Sequence, residues 1–150
     1  MHKVTRRAMF ETNSSSTHSI TIVDGKLDDK LPVRDGICKV HAGSFGWEEM
    51  DYDDAATKAS YCLTWAKDSS APSNQLTMLE EVIKEVTGAK EVVFVPYSTG
   101  EDAWDEWGSI DHQSGPSEGG AGEGIFESKE TLKNFIFCSQ SKLYTGNDNG

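Results

Sequence analysis

The chain opens on an alternation. Val4, Ala8 and Phe10 share one face of an extended segment, with Lys3, Thr5, Arg7 and Met9 on the other, the period of two that marks a strand. Arg6 falls on the apolar face, between Val4 and Ala8. Farther on, His18, Ile20 and Ile22 alternate with Ser19, Thr21 and Val23, which predicts a second strand able to pair with the first as a hairpin across residues 11–17. Asp24-Gly25 and Asp35-Gly36 are turn signals flanking a charged connection. In a short third strand Ile37, Lys39 and His41 oppose Cys38 and Val40, and the glycines at 43 and 46 end that pattern.

The period then changes to that of a helix. Ala55, Ala59, Cys62, Leu63 and Ala66 form one stripe, with Asp51 or Asp53 as the capping residue and Asp54–Lys58 as an ion pair on the outer side. Ser73 is placed to cap a second helix that buries Leu76, Leu79, Val82, Ile83 and Val86, and Gly88 to end it in a left-handed turn. The unbroken run Val92-Val93-Phe94-Val95 predicts a strand covered on both faces. Residues 96–124 are loop-rich, and five glycines within 115–124 predict a flexible loop there. Ser128 caps a last short helix carrying Leu132, Phe135 and Ile136, and Leu143 and Tyr144 suit a final edge strand. The expectation is an α+β fold: a single domain over 1–150, with a small mixed or antiparallel sheet of about four to five strands packed with about three helices.

At 150 residues, with four Trp, four Tyr and six Phe, the chain can bury a core without staples. Its net charge of −11 argues against direct nucleic-acid binding, since such proteins present a basic stripe to the phosphates. The acids cluster instead, at Glu48, Glu49, Asp51, Asp53 and Asp54 and again at Glu101, Asp102, Asp105 and Glu106. Such runs are solvated faces, or a surface that docks on a basic protein by imitating DNA. Three scattered cysteines, an odd number, suit a reducing compartment better than a disulfide framework. The first residues lack the apolar stretch of a signal peptide, and no run approaches the ~18–20 apolar residues of a membrane span. A cytoplasmic protein is therefore expected.

The densest polar run is Glu11-Thr12-Asn13-Ser14-Ser15-Ser16-Thr17-His18. Short hydroxyl and amide side chains, with backbone N–H groups among them, are what a phosphate needs, and Arg6 just upstream offers the charge. The same residue types fill ordinary connecting loops, because they bond to their own backbone. Ile110-Asp111-His112-Gln113-Ser114 brings a second histidine. His18 and His112 converging on one pocket would serve as acid and base on a phosphodiester, with Glu11 or Asp111 orienting an imidazole, since an imidazole pKa of about 6.5 suits neutral pH. Arg6, Asn13, Ser14, Ser15 and Ser16 would hold the ligand.

Neither a metal nor a cofactor is expected. Cys38-x-x-His41 sends its side chains to opposite faces of a strand, and His18, His112, Asp111 and Glu11 follow no recognised ligand spacing. Gly120-Ala121-Gly122-Glu123-Gly124 lacks the Lys-Ser/Thr of a phosphate loop. Trp104 and Trp107 are core anchors or a protein-binding patch, with core the better reading.

Arg6-Arg7-Ala8-Met9-Phe10-Glu11-Thr12-Asn13-Ser14-Ser15-Ser16-Thr17-His18-Ser19 resembles the N-terminal signature of small uncharacterised bacteriophage and prophage proteins. Ile110-Asp111-His112-Gln113-Ser114, Leu132-Lys133-Asn134-Phe135-Ile136-Phe137 and Gly146-Asn147-Asp148-Asn149 look like their later blocks. The likeness covers both ends and part of the middle, and leaves out the acidic segment and the glycine loop. It implies a phage setting, in the host cytoplasm, and no reaction. Two readings follow. One is an accessory protein, for host takeover or anti-defence, that binds a small phosphorylated or nucleotide ligand, with or without cleaving it. The other is an acidic, non-enzymatic inhibitor that binds a basic host protein through Glu48, Glu49, Asp51, Asp53 and Asp54. Neither reading fixes an oligomeric state.

Overall fold

The computed structural model describes residues 7–10, 17–45, 50–68, 71–97, 106–110 and 121–146. The alternation at the start gives β1 (Arg7–Phe10) and β2 (Thr17–Ile22), paired antiparallel as a hairpin with Phe10 opposite Ser19. Short strands β3 (Val33–Arg34) and β4 (Ile37–His41) pair across the turn at Asp35 and Gly36, whose φ values of 55° and 78° belong to a tight two-residue hairpin. β5 (Ser44–Phe45) and β6 (Met50–Tyr52) precede the helix α1 (Ala55–Lys67). Next come α2 (Asn74–Thr87), β7 (Glu91–Val95) and β8 (Ser109–Ile110). A 3₁₀ segment (Ala121–Glu127), α3 (Lys129–Phe137) and β9 (Lys142–Gly146) complete the described chain.

The class is α+β, with three α-helices among the described residues. The larger sheet is antiparallel and four-stranded, in the order β1-β2-β9-β6. The strands also form a three-stranded mixed sheet, β3-β4-β7, and a two-stranded parallel pair, β5-β8. Because β4 and β7 run parallel, the chain between them must cross over, and α1 and α2 lie in that crossover.

α1 is the centre of the core. Tyr61, Cys62, Leu63 and Trp65 on successive sides of the helix are all buried, a pattern that requires cover all round rather than one packed face. β4 lies against it, as do α2 and α3. The expected stripe of Ala55, Ala59, Cys62, Leu63 and Ala66 is buried as read. α2 contributes Leu79, Val82 and Ile83, and α3 contributes Leu132, Phe135 and Ile136. Each such side chain, fully buried, stabilises the fold by roughly 1.5–3 kcal/mol.

Several expectations are corrected. α1 is capped by Asp54 and not by Asp51, which lies in β6, or Asp53: the Asp54 carboxylate accepts from the Thr57 N–H at 2.8 Å. Asp29, distant in sequence, accepts from the Ala55 N–H at 2.8 Å, so two carboxylates meet the positive end of the helix. Desolvation pushes the Asp54 carboxyl up, but its hydrogen bonds from Thr57 prevail and hold it below its ordinary 3.8. Lys58 does not pair with Asp54 on the outside; it is fully buried. β9 is no edge strand but sits between β2 and β6, with Leu143 fully buried. β7 is outermost in its sheet, so Val92, Val93, Phe94 and Val95 are half-buried rather than covered on both faces. Ser73 occupies the N-cap of α2 without a side-chain bond. Gly88 does end α2 left-handed, at φ 77°. Ser128 caps α3 through the Thr131 N–H. Within the glycine-rich stretch 115–124, residues 121–124 begin a 3₁₀ segment with Gly124 buried; residues 115–120 lie outside the described residues. No helix among the described residues is long and apolar enough to cross a membrane.

Candidate functional site

The β3–β4 hairpin and the first turns of α1 form the two walls of a cleft of about 580 Å³. Leu31, Pro32, Arg34 and Asp35 come from the first strand and its approach, and Ile37, Lys39, Val40 and His41 from the second. Ala56, Thr57, Ala59 and Ser60 come from the helix. The local sequence explains the wall. Asp35-Gly36 folds the chain back on itself, so that Arg34 lies opposite Ile37. Alternation along β4 buries Cys38 and Val40 and leaves Lys39 and His41 exposed. Their side chains share a face with Ile37, as expected from the sequence, and Cys38 and His41 diverge.

The cleft is amphipathic. Aliphatic side chains make most of its wall, with the hydroxyl side chains Thr57 and Ser60 on the helix side. Arg34 adds a guanidinium, Lys39 an amino group and His41 an imidazole, and Asp35 is the one carboxylate among the lining residues. On a chain of net charge −11 this is a local excess of positive charge. The volume lies in the range of small-molecule sites, roughly 300–1,000 Å³. The donors suit an oxyanion: a guanidinium bonds two oxygens at once and an ammonium acts as a point charge.

A second cation sits in the core. The Lys58 Nζ donates to the Cys138 carbonyl at 2.8 Å and to the Ser141 carbonyl at 2.9 Å, with the Phe135 ring centroid 5.9 Å away. Cys138 is the C-cap of α3, where a positive charge meets the negative end of the helix. Desolvation lowers the Lys58 ammonium below its ordinary 10.5, against the pull of Cys138, Asp29, Asp53 and Asp54. Nearby, Asp28 accepts from the Ser139 N–H and hydroxyl at 2.8 and 2.7 Å, which holds its carboxyl below 3.8.

The cysteines offer no nucleophile. Cys38, Cys62 and Cys138 are free and buried, and desolvation pushes the Cys38 and Cys62 thiols up, away from the thiolate. Among the described residues no group of three or more His, Cys, Asp or Glu is placed to hold a metal ion.

Of the residues singled out in the sequence, Arg6, Glu11, Asn13, Ser14, Ser15, Ser16, Asp111 and His112 lie outside the described residues, as do Glu48 and Glu49. His18 is in β2, opposite Thr145 of β9. Thr17 pairs with Gly146, and Met50 with Thr145, so β2 begins, β9 ends and β6 begins at one end of the larger sheet. Asp51, Asp53 and Asp54 are exposed, and the Asp54 carboxylate is taken up by the helix. Trp104 lies outside the described residues; Trp107 is half-buried against the core, with the Lys67 ammonium 4.0 Å from its ring centroid. Sequence reading missed Arg34, Lys39 and His41 as a group. Compared with protein-family models, with curated proteins and with solved structures, the chain matches none.

Proposed function

We propose that this is a phage-type accessory protein of the host cytoplasm that binds a small phosphorylated ligand in the cleft between the β3–β4 hairpin and α1. The supporting observation is the gathering of Arg34, Lys39 and His41 around one cavity of about 580 Å³ on a strongly acidic chain. A net charge of −11 repels anions at long range, so a local cationic cleft is what allows one to bind. The likeness of residues 6–19 to phage proteins supports the setting. The reading is one of binding; cleavage would need an acid and a base at the ligand, and His41 is the cleft's single imidazole.

A second reading, docking of a basic host protein, is favoured by the exposure of Asp51 and Asp53 side by side ahead of α1. One experiment separates the two. A native mass spectrum of the protein, purified from the cells in which it acts, is expected to show an adduct of phosphorylated-metabolite mass. The double variant Arg34→Glu/Lys39→Glu, folded by circular dichroism, is expected to lose it. A bare chain mass, or an adduct that the variant keeps, would overturn the cleft reading, and a complex with a basic protein would favour the second.

A further inference from the structure

Resting on the phosphate reading of the cleft, we infer that its ligand is a ribonucleoside monophosphate, with Asp35 as the residue that reads the nucleoside. Three features of the cleft point beyond a bare oxyanion. The first is size and lining. Phosphate or pyrophosphate leaves most of about 580 Å³ unfilled, and gains nothing from the accessible apolar surface of Pro32, Ile37 and Ala56. A ligand with a flat, weakly polar body uses those walls, because covering them removes apolar surface from water.

The second feature is Asp35. A carboxylate at the rim repels a ligand that is only an anion, yet it accepts hydrogen bonds from a pair of ribose hydroxyls or from a ring amine. A nucleoside supplies such paired donors, which a fully ionised phosphate ester lacks. The third is spacing. From Ile37 to His41 the strand spans about 13 Å at ~3.3 Å per residue. Arg34 and Asp35 lie at the turn end, and His41 faces the opposite end, with Lys39 between. Lys39 and His41 are thus set apart from Asp35 along one wall, as a ligand with a phosphate at one end and a nucleoside at the other requires. Arg34 serves either part, since its planar guanidinium both bonds oxyanions and stacks on aromatic rings.

The Asp35 backbone has φ 55°, a left-handed conformation that asparagine adopts as readily as aspartate. Asp35→Asn therefore removes the charge and keeps the turn. Calorimetric titration of the full-length chain with the four ribonucleoside 5′-monophosphates, ribose 5-phosphate and inorganic phosphate makes the test. At least one nucleotide is expected to bind tenfold or more tighter than ribose 5-phosphate. Asp35→Asn is expected to weaken that nucleotide about tenfold while leaving inorganic phosphate no weaker. Nucleotides that bind no tighter than inorganic phosphate would overturn the nucleoside assignment and leave the phosphate reading standing. An Asp35→Asn variant with unchanged nucleotide affinity would overturn the role of Asp35. No binding of any of the six compounds would defeat both readings.

Discussion

Replacing Lys58 by methionine should lower the unfolding free energy by about 2–3 kcal/mol, although methionine is the more hydrophobic residue. Two effects compete. A buried ammonium is costly to desolvate, and replacing a buried ion with an apolar side chain of similar size can be neutral or favourable. Here the Lys58 Nζ is the donor to the Ser141 carbonyl and one of two donors to the Cys138 carbonyl, the other being the Ser141 N–H. Methionine leaves an acceptor stranded in the core, and that penalty prevails, at about 1–3 kcal/mol for each buried group left unpaired. It also releases the tie between α1 and the end of α3. Urea unfolding would measure the loss; a change below about 1 kcal/mol would mean that the two carbonyls find other partners.

The same variant carries a pH signature. The folded protein holds Lys58 below its ordinary 10.5, so between that lowered value and 10.5 the unfolded chain binds the extra proton. Wild-type stability therefore gains from this group as pH rises through that window. The buried Cys62 and Tyr61, pushed up by desolvation, act in the opposite direction, but both chains contain them. The stability gap between wild type and Lys58→Met should accordingly widen with pH. A gap that narrows would contradict the burial of the ammonium.

Gly108→Ala should cost still more, about 3–5 kcal/mol, summing a left-handed residue with a Cβ and an overpacked contact. Gly108 has φ 76°, and a β-carbon there would run into the Gly43 carbonyl oxygen. Gly43 has little room to retreat, because its N–H donates to the Thr64 hydroxyl at 3.0 Å and that hydroxyl also bonds the Ser60 carbonyl of α1. Gly88→Ala is the matched control: φ is 77°, but nothing lies within 4 Å of the added carbon. It should cost only the backbone term, about 1–2 kcal/mol. Equal losses at the two positions would show that the Gly43–Gly108 approach is unimportant.

Local patterns carried much of the fold. Alternation in 7–10 and 17–22 gave a hairpin, Asp35-Gly36 gave a tight turn, and Ser128 and Gly88 marked helix ends as read. What escaped depends on partners far along the chain. Lys58 stands three residues from Ala55 and four from Cys62, on the buried stripe itself, yet its charge argued for solvent. Only the distant carbonyls of Cys138 and Ser141 make its burial tolerable. Leu143 and Tyr144 read as an edge because nothing near them in sequence announces β6 on their far side. The candidate site shows the same limit. Polar density is a local property and drew attention to residues 11–18. The cleft joins residues 31–41 to residues 56–60, and each of its charged side chains alone looks like the solvent side of a strand.

The most direct measurement is amide chemical-shift mapping of the ¹⁵N-labelled protein during titration with the four ribonucleoside monophosphates. Ligand in the cleft predicts shifts concentrated at residues 34–41 and 56–60. Shifts confined to residues 7–22 and 109–112, or none at all, would contradict it.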